Sequence, residues 1–163
     1  MIDLSQCIVV DVEASGLIPG DYSLLSIGAV DLNDDGDFYV ELKPLNQNFM
    51  PGALEVCGFD LAKQAKHGLD PKQAIQDFCE WAGEGRVLVA YNAPFDYAYI
   101  NWYCYHFLGR NPFCYIPLDI LTYYGSKHNL FPTEALGEIP LALPHHALGD
   151  ARMEAKLFKD LVK

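Results

Sequence analysis

The sequence has 163 residues, a formal net charge of −11 and 51% hydrophobic residues. This length predicts one domain over residues 1–163, long enough to bury most of its apolar surface. The excess of acid excludes a broad basic surface that grips nucleic acid or an anionic membrane by charge alone. No apolar run approaches the roughly 18 residues of a membrane-spanning helix, so no membrane partner is expected.

The cysteines and the N-terminal residues indicate a reducing compartment. The five cysteines are odd in number and none are spaced as CxxC, which argues against a disulfide framework or a zinc site. The first residues, MIDLSQCIVV, carry an acid at position 3 and no basic stretch, so a secretory signal is not expected. We therefore expect a cytoplasmic protein.

The N-terminal third predicts three strands and a short helix. Residues 7–13 form an apolar run typical of a buried strand. Residues 22–31 and 37–43 predict two more strands, joined as an antiparallel hairpin by the turn NDDG, where Gly36 is available for a positive φ. The segment PGALEVCG, residues 51–58, predicts a short helix.

Helices dominate the remainder of the chain. Asp70 can cap a helix whose apolar residues recur at helical spacing. RVLVAY, residues 86–91, predicts a central strand, and residues 93–109 predict a mostly buried helix with Asn92 as its cap. The prolines of 125–144 predict a loop or a very short helix before a last helix at the C-terminus. Strands followed by helices and one further strand indicate a mixed α/β domain.

Two acids lie at the end of the first predicted strand. Asp11 and Glu13 are two positions apart, so they share one face of the strand. Neighbouring carboxylates repel each other, and one becomes protonated unless a cation lies between them. Magnesium and manganese prefer such oxygen ligands. The pair alone fits a solvated strand end equally well.

Three further side chains lie where predicted elements begin. Asp96 falls in the first turn of the helix at 93–109, Asp150 opens the last helix, and His145 precedes Asp150 by five residues. Each acid alone also fits a helix start that favours negative charge. Together with the first pair, they form a set of four carboxylates and one histidine. Such a set supplies the parts of a two-metal site for phosphoryl transfer.

Three segments of the sequence carry a resemblance to a known family. In their order and spacing, VVDVEASGL, AYNAPFD and HHALGDA resemble the motifs of the DEDD exonucleases. The histidine five residues before the last aspartate is similar to the DEDDh branch, which includes the proofreading epsilon subunit of bacterial DNA polymerase III, RNase T and oligoribonuclease. The resemblance extends over most of residues 7–161. It implies a ribonuclease H-like fold, a mixed five-stranded sheet flanked by helices.

The resemblance implies a metal-dependent 3′–5′ exonuclease. The substrate would be the 3′ end of single-stranded or short DNA or RNA, cut at its terminal phosphodiester into nucleoside 5′-monophosphates. His145 would be the general base, and its neighbour His146 should point elsewhere. Two divalent cations, Mg²⁺ or Mn²⁺, would be held by the four acids: Asp11, Glu13, Asp96 and Asp150.

The loop after Glu13 is expected to hold the terminal nucleotide. Ala14 and Ser15 can offer backbone N–H groups, and Leu17 an apolar face for a base. Phe95 can stack on a base, although an aromatic residue before a buried helix more often belongs to the core. The sequence departs from the family at Tyr91, where histidine is frequent, and at Ala14 and Ser15, where threonines are frequent. It also lacks a clear amphipathic helix before the last motif.

Other functions stay open at this point. One is a catalytically idle domain of the same fold that serves binding or assembly, and another is a hydrolase of small phosphodiesters. The residues do not distinguish DNA from RNA, because no group that would contact a 2′-hydroxyl is identified. A homodimer, frequent among relatives, is an alternative to a monomer.

Overall fold

The computed structural model describes residues 2–163 and contains a five-stranded sheet of order β3-β2-β1-β4-β5. Its strands are β1 (Cys7–Ala14), β2 (Leu24–Asp31), β3 (Asp37–Glu41), β4 (Val87–Ala90) and β5 (Leu118–Asp119). β1 pairs antiparallel with β2 and parallel with β4, while β3 and β5 extend the two edges. The predicted mixed five-stranded sheet is confirmed.

Seven α-helices surround this sheet within the described residues: α1 (Pro51–Cys57), α2 (Leu61–His67), α3 (Pro71–Ala82), α4 (Ala93–Leu108), α5 (Ile120–His128), α6 (Pro132–Glu138) and α7 (Ala147–Leu161). The sequence predicted α1, α3, α4 and α7 but missed α2 and α5. Residues 125–144 hold the end of α5 and the short α6 rather than a loop alone. Over residues 2–163, no helix has the length and apolarity needed to cross a membrane.

The central strand β1 is covered on both faces. Ile8, Val10 and Val12 belong to one core with α3 and α4, whereas Cys7 and Val9 belong to a second core with α5 and α7. Burial on both faces explains the continuous apolar run of this strand. Because side chains alternate, Asp11 and Glu13 follow Cys7 and Val9 on the side that α7 covers.

Gly28 allows the start of α7 to lie directly against the sheet. It is the β2 partner of Asp11. A Cβ atom at this position would lie 2.1 Å from the carbonyl carbon of Ala147, a distance that no side chain can occupy. This close approach brings Asp150, in the first turn of α7, to the end of β1.

One local expectation is wrong and another is confirmed only in part. The positive φ in the hairpin between β2 and β3 occurs at Asp35 (60°), a residue type that tolerates this region, and not at Gly36. Asn92 occupies the cap position of α4 but makes no side-chain capping bond. Instead, Asp119 of β5 accepts a hydrogen bond from the Ala93 N–H through Oδ2 at 2.8 Å. A residue distant in sequence therefore satisfies the helix start.

Candidate active site

The four predicted acids and His145 lie around one cleft of about 470 Å³. β1 contributes Asp11 and Glu13, the first turn of α4 contributes Asp96, and the first turn of α7 contributes Asp150. His145 lies in the loop that leads into α7. The fold thus brings together five side chains that the sequence distributes over most of its length.

The carboxylates of this cleft are buried and incompletely paired. Asp96 is 3% exposed, and its Oδ1 accepts a hydrogen bond from the Val12 N–H at 3.0 Å. Asp11 Oδ2 and Asp150 Oδ1 are buried without a hydrogen-bond partner among the described residues. No lysine or arginine of residues 2–163 lines the cleft. Unpaired buried carboxylate oxygens are unfavourable unless a proton or cation reaches them.

Burial and mutual repulsion keep these acids from ionising freely. Burial raises the pKa of Asp11, and the charge of Asp96 raises it further. Burial also raises the pKa of Asp96 and of Asp150. For Glu13, burial and then the charge of Asp150 raise the pKa to about 7. The carboxylate oxygens and the negative charge of this cluster therefore suit divalent cations, which prefer carboxylate ligands.

His145 is placed at the exposed side of the cluster. Ligand atoms of Glu13, His145 and Asp150 lie within 4.8 Å of one another. His145 has a φ of 57°, in the left-handed region that is uncommon for residues other than glycine. Such conformations persist where the surrounding structure holds them and often mark functional sites.

The adjacent His146 has a structural environment of its own. Its Nδ1 accepts a hydrogen bond from the Gly149 N–H at 3.3 Å, which caps α7. Its ring stacks on Tyr39 with the centroids 4.8 Å apart. His146 does not line the cleft, so the two neighbouring histidines point to different surroundings, as expected from the sequence.

A fifth buried acid, Glu154, was missed by the sequence analysis. It lies one turn after Asp150 on α7, is 1% exposed, and accepts the Tyr91 N–H through Oε2 at 3.1 Å. Its Oε1 is buried without a partner among the described residues, and its charge contributes to the raised pKa of Asp11. The spacing of four residues from Asp150 was the available signal, because it puts both on one helix face.

The other end of the cleft is apolar. Leu17 and Phe95 line it, as expected, and so does Ala14. Leu17 is 65% exposed, whereas Phe95 is half-buried and packs on the core next to Tyr99. Further apolar side chains come from the start of α1 and from the loop before α7: Met50, Pro51, Ala53, Val56 and Leu143.

Ser15 differs from its expected position. It is fully buried and does not line the cleft. Its N–H donates to the Ser23 carbonyl at 2.8 Å, and its hydroxyl donates to the Asn48 carbonyl at 2.8 Å. The Ser15 backbone N–H is thus unavailable to a ligand, and the residue instead fixes the base of the loop that carries Leu17.

The chain has a relative in a known family of nucleases. Residues 8–158 match the family model of the RNase T type, described as exonuclease. The chain is 42% identical over 164 residues to the 3′-5′ DNA exonuclease Cap18 of Escherichia coli, an alignment that covers 92% of this chain and 88% of that protein. The chain belongs to the RNase T exonuclease family. The family and the 3′–5′ exonuclease class expected for this enzyme are thereby confirmed.

Solved structures of other exonucleases share the fold of this exonuclease. Escherichia coli exonuclease I in complex with a dA16 oligonucleotide superposes with a TM-score of 0.74 at 17% identity, over 94% of this chain and 40% of that one. Exonuclease X in complex with 5′ overhanging duplex DNA superposes with a TM-score of 0.63 at 18% identity, over 96% and 90%. The exonuclease family implies a divalent metal, and the cluster of buried, unpaired carboxylates fits one.

Proposed function

We propose that this exonuclease removes nucleotides from the 3′ end of single-stranded or short DNA and releases nucleoside 5′-monophosphates, with residues 1–163 acting as one domain. The observation that carries the proposal is the pair of unpaired, buried oxygens on Asp11 and Asp150, in a cleft that also holds Glu13 and His145. The choice of DNA is supported by the 42% identity to a protein named a DNA exonuclease.

Two divalent cations, Mg²⁺ or Mn²⁺, would be held by Asp11, Glu13, Asp96 and Asp150. When bound, such a pair supplies activation of a water molecule and stabilisation of the leaving oxygen in an in-line displacement. The donor set supports this assignment, since four carboxylates without a nearby lysine or arginine in the described chain match hard cations.

His145 would accept the proton of the attacking water. A neutral imidazole is suited to this role near pH 7. One of its ring nitrogens lies within 4.8 Å of a carboxylate oxygen of Glu13 and of Asp150, where the reacting phosphate would be bound. Capping of α7 by His146 and the contact of Gly28 with Ala147 fix the end of the loop that leads into α7.

The apolar end of the cleft would bind the terminal base. Leu17 and Phe95 offer apolar and aromatic surface, and Ala14 completes the wall between them and the acids. This surface favours a nucleoside over a simple phosphodiester.

The four acids also argue against an idle domain, because an inactive copy gains nothing from retaining carboxylates that repel each other. A homodimer and a cytoplasmic location remain predictions.

The test is a degradation assay on DNA and RNA of one sequence, each single-stranded and labelled at the 5′ end. With Mg²⁺ or Mn²⁺, the DNA should shorten one nucleotide at a time and release 5′-monophosphates, and the Asp150→Asn variant should be inactive. A non-nucleotide phosphodiester, bis(p-nitrophenyl) phosphate, serves as the comparison substrate. Cleavage of this ester alone, or full activity of Asp150→Asn, would contradict the proposal.

A further inference from the structure

The net charge of −11 leaves most of a bound strand without an electrostatic grip. The basic side chains of α7 do little to change this, because two of the three are paired with acids. Arg152 pairs with Asp37, and Lys159 pairs with Asp35. Contacts to the bases would therefore add affinity for a longer strand that so acidic a protein does not obtain from charge.

An exposed groove of about 660 Å³ offers such contacts on the surface of α4. Trp102 and His106 stack there with ring centroids 4.4 Å apart and planes 11° apart. Tyr105 and Ile18 are 59% and 56% exposed. None of the groove-lining residues in the described chain is acidic, in contrast to the protein as a whole. We call this surface, formed by Ile18, Trp102, Tyr105 and His106, the aromatic groove.

Residues that adjoin in the chain line the aromatic groove and the cleft of the candidate active site. Leu17 lines the cleft and the next residue, Ile18, lines the groove. On α4, Phe95 lines the cleft and Ala98, three residues later, lines the groove. One exposed loop and one helix therefore form both surfaces, side by side.

The groove is also held in a fixed shape. The backbone of Gly20 lies so close to Trp102 that a Cβ atom on Gly20 would approach the indole ring to 2.9 Å. Trp102 in turn packs against Tyr103 of the core. Trp102 therefore loses little conformational freedom when the groove binds a ligand, and a small loss favours affinity.

We propose that the aromatic groove binds the bases of the nucleotides that lie beyond the last two at the 3′ end of the same single strand. The inference rests on the proposed function, since the strand is the one whose end occupies the cleft. Unpaired bases present free π-faces that stack on aromatic side chains without sequence preference. Bases of a duplex are already stacked, so the groove favours single-stranded ends.

The experiment compares hydrolysis of a DNA dinucleotide with that of a ten-nucleotide single strand. Tyr105→Ala should raise KM for the decamer by about tenfold, since one base stacked on an aromatic ring contributes on this order. Ile18→Ala removes only an aliphatic contact and should raise KM by a smaller factor. Their rates on the dinucleotide should be unchanged, and Tyr105→Phe should retain the wild-type KM. The matched control is Tyr115→Ala, because Tyr115 is 80% exposed and lines neither surface.

A second set of substrates tests the bases themselves. Abasic residues at the third and fourth positions from the 3′ end keep the phosphates but remove the stacking faces. These substrates should raise the KM of the wild-type enzyme about tenfold. In the Tyr105→Ala variant they should cause no further increase in KM, because the substitution and the abasic residues remove the same contact.

Two results would overturn the proposal. One is a decamer KM in Tyr105→Ala and Ile18→Ala equal to that of Tyr115→Ala, while the dinucleotide is still hydrolysed; this leaves the proposed function intact. The other is a dimer that dissociates in Tyr105→Ala during sedimentation, which would assign the groove to contact between copies of the chain. Absence of any nucleotide hydrolysis by the wild type would instead defeat the proposed function and this inference together.

Discussion

Asp31 and Asp11 are carboxylates of neighbouring central strands, but the chain surrounds them differently. Arg86 donates to Asp31 through Nη1 at 3.0 Å and Nη2 at 2.6 Å. Burial acts to raise the pKa of Asp31, but the hydrogen bonds outweigh it and the pKa is lowered. Asp11 has no such partner in the described chain, and burial raises its pKa. The fold thus neutralises one acid internally and leaves the other to a cation from solution.

The largest expected effect is the loss of exonuclease activity when Asp11, the acid without a basic partner in the described chain, is replaced. We expect Asp11→Asn to lower exonuclease activity by roughly 10⁴-fold or more, since a cation ligand is lost. The same change should raise the free energy of unfolding of the metal-free protein by about 1 kcal/mol, because repulsion is relieved. Activity assays and denaturant unfolding in a chelator measure the two quantities. A variant that is less stable than the wild type would contradict the difference drawn between Asp11 and Asp31.

A second prediction separates the two histidines beside the uncompensated acids. We expect His145→Ala to lower kcat by roughly 10²- to 10⁴-fold, the range for loss of a general base. His146→Asn should change kcat by less than about threefold, because asparagine can still cap α7. Steady-state kinetics of both variants tests the assignment. Equal losses of kcat would show that it is wrong.

A third prediction concerns the acid that is neutralised internally. We expect Arg86→Leu to lower the free energy of unfolding by about 3 kcal/mol, since it leaves Asp31 largely buried without its partner. Activity per folded molecule should be retained, because Arg86 lies outside the cleft. The matched control is Arg110→Leu, whose exposed pair with Glu84 should contribute less. Urea denaturation of both variants measures the difference, and equal effects would remove the contrast between the two kinds of acid.

The last prediction concerns the pH dependence of stability. Glu13 has an ordinary pKa of 4.5 and a pKa of about 7 in the folded protein. The folded state therefore binds a proton more tightly than the unfolded state, so stability is lost as pH rises from about 4.5 to 7. Denaturant unfolding of the metal-free protein across this range should show that loss. Glu13→Gln should make the curve less steep, while the other acids with raised pKa values still contribute; an unchanged slope would contradict the shifted pKa of Glu13.

The elements with strong sequence signals were predictable, and the weak ones were not. The buried run of β1 and the capped, periodic α3 both carry clear patterns. By contrast, β5 has two residues and exists through its pairing with β4. Similarly, α5 shows no helical period, and it forms because Asp119 caps it and Ile120 and Leu121 are buried. Both depend on tertiary contacts that a local pattern does not contain.

The candidate site was predictable as a set of residues but not as a surface. Three short motifs were enough to group Asp11, Asp96 and Asp150, because each lies at the end of an element with a clear pattern. The aromatic groove was not predictable, since α4 is apolar and aromatic around its whole circumference. Its exposed face is decided by which side the sheet covers. Glu154 was missed because its burial depends on packing of α7 against β1.

The contact at Gly28 makes the enzyme sensitive at a position that takes no part in chemistry. The distance between β2 and the backbone of Ala147 leaves no room for even one methyl group. A single added carbon would push α7, and with it Asp150 and the loop of His145, away from Asp11 and Glu13. Every reactive group would still be present, yet the two halves of the site would no longer meet. An inactive descendant of this enzyme could therefore arise with all five of its signature residues intact.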